Sequence, residues 1–294
     1  MKFVELMSPT PYGSLLDSLR GIRWPAARRV AGATLGAHPS RLRGNSSEFS
    51  EFRPYRQGDD PRRIDWRLLA RSDRAYVRLT TDRATLRTHV LVDASASMAF
   101  PQPQLTKWRR ACEVAVGLSA VAHAEGDPIG LTVVTEPPVV LAARARRSVI
   151  VEMIRALDAV TPAGSAPLAP LLASARAQRI AVVTDLLGDA DQLLAGARLR
   201  IAAGDEVTVV HLVAGEELDP PGDALLAVDP EQPALRRTLD AATRSDYVRR
   251  FSAWLAGTAD AYRAAGVRYV RADVSEPATK LVRRIVSGVP ARAG

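Results

Sequence analysis

The chain has a single cysteine, Cys112, among its 294 residues, which excludes an internal disulfide framework and any thiolate metal cluster built from this chain alone. Cys112 lies in an apolar helical pattern and reads as core filler rather than as a nucleophile. No apolar run approaches the ~18 residues that span a bilayer. The opening stretch MKFVELMSPTPYGSLLDSLR also lacks the continuous apolar segment of a signal peptide. The reading is a soluble cytoplasmic protein with no transmembrane segment. Histidine is scarce, with four in all: His89 and His211 in or beside apolar strands, His123 on a helix and His38 near the start. Each reads as structural. Enzyme signatures are missing too: no G-x-S-x-G elbow, no GxxxxGK[ST] phosphate loop and no G-x-G-x-x-G turn after a strand.

Hydrophobic residues make up 47% of the chain, enough to fill the core of one large domain, or of one domain with a satellite. The net charge is +8, and its distribution says more than its size. Residues 1–92 hold 17 basic and 9 acidic residues, whereas residues 93–294 hold 23 of each. The whole basic excess therefore sits in the first third, where it could meet an acidic protein, an anionic surface or nucleic acid. Only three of the 40 basic residues are lysine, so the excess reflects an arginine-biased composition, and nucleic-acid binding is kept as an alternative.

Three zones follow one another. Residues 1–45 form an Arg-rich lead-in punctuated by Pro and Gly, with helices expected near residues 12–20 and 26–35. Residues 46–87 concentrate charges and aromatics: Phe49, Phe52, Tyr55, Trp66 and Tyr76 interleave with Arg53, Arg56, Arg67, Arg71, Asp59, Asp60 and Asp65. This block is expected to form a small subdomain packing on the main sheet, docked by Arg–carboxylate pairs. Residues 88–289 alternate apolar strands with amphipathic helices. Strands are expected at 89–92, 129–135, 180–184, 207–213 and 267–270, with an antiparallel edge hairpin at 139–142. Helices are expected at 107–125, 148–160, 167–177, 189–203, 244–265 and 277–287. Strands apolar on both faces, alternating with helices, spell an α/β fold with a doubly wound, mostly parallel open sheet. Such sheets bind ligands beyond the strands' carboxyl ends, where the winding direction reverses.

The chemistry-bearing residues lie where that rule points. The first central strand runs into Asp93-Ala94-Ser95-Ala96-Ser97, three oxygen-bearing side chains at alternating positions on a tight turn. A later strand ends at Asp185, and the loop between presents Ser165, with Thr161 close by as the other hydroxyl. Two carboxylates and three hydroxyls without His or Cys suit a hard cation. Mg²⁺ is the first choice, with Mn²⁺ or Ca²⁺ possible. Helix capping by Ser95, Ser97 or Asp185 is the plainer reading of each residue taken singly.

This set resembles the metal-ion-dependent adhesion site of von Willebrand factor type A domains. The resemblance carries metal-ligand roles onto Asp93, Ser95, Ser97, Ser165 and Asp185. It implies a von Willebrand factor A-like domain in which a partner protein's carboxylate completes the metal's coordination. Upstream, Gly58-Asp59-Asp60, Arg62 or Arg63, Ile64-Asp65-Trp66 and Ala70-Arg71 resemble the hallmark of the bacterial family known as domain of unknown function fifty-eight. The likeness runs from about residue 38 onward. It implies a branch without membrane helices, whose genes commonly neighbour a MoxR-type AAA+ ATPase.

A non-enzymatic, Mg-dependent protein-interaction module, an adaptor for such an ATPase in assembling or activating other proteins, is therefore the expected function. A Mg-dependent phosphatase is the enzymatic rival, but phosphatases of the haloacid-dehalogenase type need a carboxylate two residues after the first, where this chain has Ser95.

Overall fold

The computed structural model describes residues 12–288, apart from 28–34, 44–48, 58, 60, 73, 166, 189, 223–225, 229, 232–233 and 239. Its centre is a six-stranded sheet of β4 (Thr88–Asp93), β5 (Ile129–Val134), β6 (Val139–Arg144), β7 (Arg179–Thr184), β8 (Glu206–Val213) and β11 (Arg268–Asp273), in the spatial order β11-β8-β7-β4-β5-β6. All neighbours run parallel except β6, an antiparallel edge strand on β5. From β4 the chain winds one way to β5 and then the other way to β7 and β8. The winding direction thus reverses between β4 and β7.

The sheet is covered on both faces, and the strand period of two explains how. Val90 and Val92 point into a core shared with α3 (Thr106–Ala124), α4 (Val149–Asp158), α9 (Ala278–Ser287) and the short α1 (Gly13–Ser18). Leu91 points into a second core, shared with α5 (Leu168–Ser174), α6 (Ala190–Ala202) and α8 (Ala241–Ala264). Every residue of β4, β5 and β7 is buried. Strands covered by helices on both sides need apolar side chains on both faces, which is why they read as continuous runs. The doubly wound α/β arrangement expected of this region is the one observed, and no helix among the described residues is long and apolar enough to cross a membrane.

Upstream, β1 (Leu35–Arg43), β2 (Phe49–Pro54) and β3 (Tyr76–Ala84) form a separate antiparallel sheet in the order β1-β3-β2, with α2 (Trp66–Ser72) between β2 and β3. The helix expected at 26–35 falls largely outside the described residues, and Leu35 itself opens a strand. Arg53 pairs with Asp59 at 2.7 Å, and that hydrogen bond, with a second from the Arg56 amide, holds the Asp59 carboxyl below the usual range. Asp65 caps α2 by accepting the Leu68 amide at 2.9 Å. These bonds are internal to the block. Phe52, Tyr55 and Trp66 are exposed, Trp66 by 62%, so these three do not supply the packing on the main sheet expected of the aromatics. Between β8 and α8 the chain makes an excursion through the single turn α7 (Gly215–Leu218) and a two-stranded hairpin, β9 (Leu226–Val228) and β10 (Arg236–Thr238).

Candidate functional site

β4 and β7 both end in acid. Asp93 closes β4, and Asp185 follows Thr184 at the end of β7; both are buried. The two strand ends are tied directly, because the Thr184 hydroxyl donates to Asp93 Oδ2 at 2.7 Å. Asp93 Oδ1 accepts the Ser95 amide at 2.9 Å, which folds the chain back into the 3-10 turn at Ala96–Ala99. That fold needs little bulk, and Ala94 is fully enclosed. The small residues also admit the second loop. Ala163 N–H donates to the Ala94 carbonyl and Ala96 N–H to the Gly164 carbonyl, both at 2.9 Å. Gly164 takes φ +68°, a backbone state that glycine adopts without cost.

All three expected segments therefore meet at the reversal point of the sheet. Ser95 and Ser97 are buried with their hydroxyls 3.0 Å apart. Ser165 adjoins the bonded Gly164 with its side chain exposed, whereas Thr161 lies two residues before Ala163.

Four further residues complete the site, and sequence reading passed over them all. Lys107, on the first turn of α3, is fully buried and donates to Asp185 Oδ2 at 2.9 Å and to Glu217 Oε1 at 2.5 Å. Its ammonium also lies 5.6 Å from the Phe100 ring centre. Burial alone would lower its pKa, but the two carboxylates outweigh burial and hold it above the ordinary lysine value. Glu217, in α7, accepts the Ala214 amide through its other oxygen. Glu231, in the excursion, accepts the Ser97 hydroxyl at 3.2 Å. Thr184 is the fourth. One signal was available: a lysine among the apolar positions of an amphipathic helix needs a buried anion.

Burial, and then the neighbouring charge of Asp185, push the Asp93 carboxyl up to about 6. Of the three mostly buried carboxylates, Asp185 and Glu217 share the Lys107 ammonium, whereas Asp93 is held by the Thr184 hydroxyl and the Ser95 amide. His89 and His211 do not supply a second cation. Burial lowers both to about 4, and their rings bond to Thr132 and Tyr269.

The donor chemistry fits a small hard cation. The Ser95 and Ser97 hydroxyls are hydrogen-bonded to each other at 3.0 Å, a separation that equally suits two cis ligands at about 2.1 Å from an octahedral ion. The carboxylate oxygens already accept hydrogen bonds, but each keeps a second lone pair. Among the described residues no group of three or more His, Cys, Asp or Glu is placed to hold a metal, so a cation here would rest on hydroxyls with at most two carboxylates.

Residues 51–254 match the family described as "Protein of unknown function DUF58". The chain belongs to DUF58. The matched span covers β2 to the middle of α8, and so contains the DASAS turn, the second loop, Asp185 and Lys107. Two mycobacterial relatives of the DUF58 chain, "Uncharacterized protein Rv1480" of Mycobacterium tuberculosis and "Uncharacterized protein Mb1516" of Mycobacterium bovis, are each 27% identical to it over 265 residues, 86% of this chain and 82% of theirs. Among solved structures, the conserved hypothetical protein BatB from Bacteroides thetaiotaomicron is 16% identical, with 69% of this chain and 97% of that one covered and a TM-score of 0.42. The manganese-loaded TRAP protein of Plasmodium vivax is 14% identical, with 43% and 56% covered and a TM-score of 0.33.

Proposed function

We propose that this DUF58 chain is a non-enzymatic, cation-dependent protein-interaction module. Asp93, Ser95 and Ser97 would hold Mg²⁺, with Ser165 and Asp185 closing the site from the neighbouring loops and an acidic side chain of a partner protein completing the coordination. The observation that carries this reading is the placement, at the reversal point of the sheet, of two hydroxyls at octahedral spacing beside buried carboxylates that outnumber their one ammonium. A site lined by hydroxyls leaves a bound cation electrophilic toward an outside carboxylate.

Among the described residues around this site, the candidate bases and nucleophiles other than Asp93 are engaged elsewhere. The Lys107 ammonium is committed to two carboxylates, both buried histidines are bonded elsewhere, and Cys112 is enclosed in α3 with its thiol pushed up by burial. The resemblance of the upstream motif makes a MoxR-type AAA+ ATPase the proposed partner, in the cytoplasm.

Calorimetric titration of Mg²⁺ tests the site. Binding by the parent, weakened at least about tenfold in Asp93→Ala with its circular dichroism unchanged, supports it; equal binding by the variant removes it. Turnover of p-nitrophenyl phosphate that needs Mg²⁺ and Asp93 would replace the module with a phosphatase. The exposed Trp66 and Tyr55 beside arginines favour a second reading, nucleic-acid binding by the basic N-terminal third. That reading requires an affinity that falls steeply with salt.

A further inference from the structure

One face of α8 carries three aromatic rings at spacings of four and three residues, Tyr247, Phe251 and Trp254. They form a ladder, with successive ring centres 5.5 Å apart and planes inclined by 10° and 23°. The edge of His211 fixes its inner end, meeting Trp254 at 5.4 Å and 82°. Opposite the ladder stands the β9–β10 hairpin, and between them runs an open groove of about 940 Å³ whose walls include Leu226, Arg236 and Arg237. Trp254 also lines a second hollow of about 500 Å³, with Leu186, Leu187 and Gly188. Trp254 thus stands in the wall of both hollows, and Leu186 of the second follows Asp185 directly in the chain.

Large apolar side chains stand exposed in the two hollows, Leu187 by 44% and Leu226 by 48%, and Val228 and Leu235 of the hairpin segment are exposed as well. A run of apolar surface of this kind marks an interaction site. Its charge is net basic, since its walls carry Arg236, Arg237 and Arg250 against Asp246, which pairs with Arg250 at 2.7 Å.

We propose that this groove docks an acidic, amphipathic peptide segment of a partner protein, whose apolar side chains pack against Leu226 and the ring edges of Phe251 and Trp254 and whose carboxylates meet Arg236 and Arg237. Arginine suits that task, because its planar fork takes a carboxylate through two hydrogen bonds. The ladder disfavours a nucleic acid. Phe251 has both ring faces covered by its neighbours, so no base can stack on the middle of the groove, and the net basic excess of the chain lies in residues 1–92. The inference extends the interaction-module reading without needing the cation, since none of the groove's residues belongs to the Asp93 site.

Fluorescence anisotropy on the full chain tests it. The probe is a fluorescein-labelled peptide alternating glutamate with leucine and phenylalanine; a control peptide has lysine at every glutamate. The parent is expected to bind the glutamate peptide at least about tenfold tighter than the lysine peptide, and Arg236→Glu with Arg237→Glu to invert that order. Both arginines are exposed, so the double variant keeps its fold; Phe251→Leu, which retains bulk but removes the ring, is expected to weaken the glutamate peptide several-fold.

Equal binding of the two peptides, or an affinity within twofold after charge reversal, overturns the proposal. So does displacement of the peptide by oligothymidylate, which would assign the groove to single strands, or a concentration-dependent dimer abolished by the same charge reversal, which would assign it to a second copy. Peptide binding that persists in EDTA and in Asp93→Ala supports the groove even if the cation site fails. Peptide binding lost in Asp93→Ala, with its fold intact, overturns the groove while leaving the cation site standing.

Discussion

The ammonium of Lys107 sits 2.9 Å from the carboxylate of Asp185, 78 residues further along the chain, and neither side chain is exposed by more than 2%. The first turn of α3 is thereby locked to the end of β7 by a charge pair that water does not reach, with Glu217 on the ammonium's other side. Lys107→Met removes the cation and keeps the volume, leaving two carboxylates mutually exposed in a poorly solvated space. Breaking a buried pair from one side costs about 3–5 kcal/mol. Urea unfolding should show a loss of that size. Under the cation reading, Mg²⁺ should raise the variant's midpoint more than the parent's. A variant within about 1 kcal/mol of the parent would mean the pair does not hold the strand ends together.

Gly130 on β5 illustrates a glycine kept for space. A Cβ there would lie 2.4 Å from Nδ1 and 2.9 Å from Cε1 of His89 on the adjacent β4, and 3.1 Å from the backbone nitrogen of Ala143. The ring has little room to swing, because its Nε2 is 2.8 Å from the Thr132 hydroxyl, and Ala143 is fixed in β6. Gly130→Ala is expected to cost about 1–3 kcal/mol by overpacking. Combining it with His89→Ala should cost less than the sum of the two single changes. Thermal unfolding of the two single variants and the double variant checks this, and strict additivity would show that the ring is not what the new methyl meets.

His89 also sets an acid limit on stability. Burial lowers its pKa from 6.5 to about 4, so the folded state resists a proton that the unfolded state accepts. The contribution is fully present above pH 6.5 and is lost as pH falls from 6.5 toward 4, up to about 3 kcal/mol. Urea titrations of the parent and His89→Gln across that window should show the parent's advantage shrinking as pH falls. An advantage that stays constant with pH would mean that His89 titrates normally in the fold.

The central sheet was legible because its strands are buried on both faces, and such strands announce themselves as short continuous apolar runs. The expected 180–184 and 207–213 differ by one residue at the start from the observed Arg179–Thr184 and Glu206–Val213. Asp93 and Asp185 were legible for a related reason: an acid at the end of an apolar run stands at a strand's carboxyl end, where ligands bind. Glu217 and Glu231 were not, since only the tertiary fold brings three distant elements together, and for Lys107 the one signal, its place among apolar helix positions, names no partner. The strand at Leu35–Arg43 was not expected, only Leu35 having been placed at the end of a helix, because its residues carry neither alternation nor β-branched side chains and its pairing with β3 decides its form. The hairpin of β9 and β10 was missed because each strand has only three residues.

Arg179 and Trp24 join the N-terminal segment to the sheet, and their coupling is measurable. The guanidinium carbon lies 4.4 Å from the centre of the Trp24 ring, with both residues almost wholly buried. Arg179 also reaches Glu206 at 3.1 Å and Asp127 at 3.8 Å. Trp24→Ala opens a cavity and uncovers the guanidinium, at an expected cost of about 3–5 kcal/mol. Arg179→Lys keeps the charge but loses the planar face that stacks on the indole. If stacking is the main link, the double variant should be more stable than additivity predicts by about 1–2 kcal/mol. Chemical denaturation of the two single variants and the double variant gives that number. A coupling near zero would mean that Trp24 is held by its apolar neighbours in the α3 core and by the hydrogen bond its backbone N–H donates to the Glu125 carboxylate, and that Arg179 serves the two carboxylates alone.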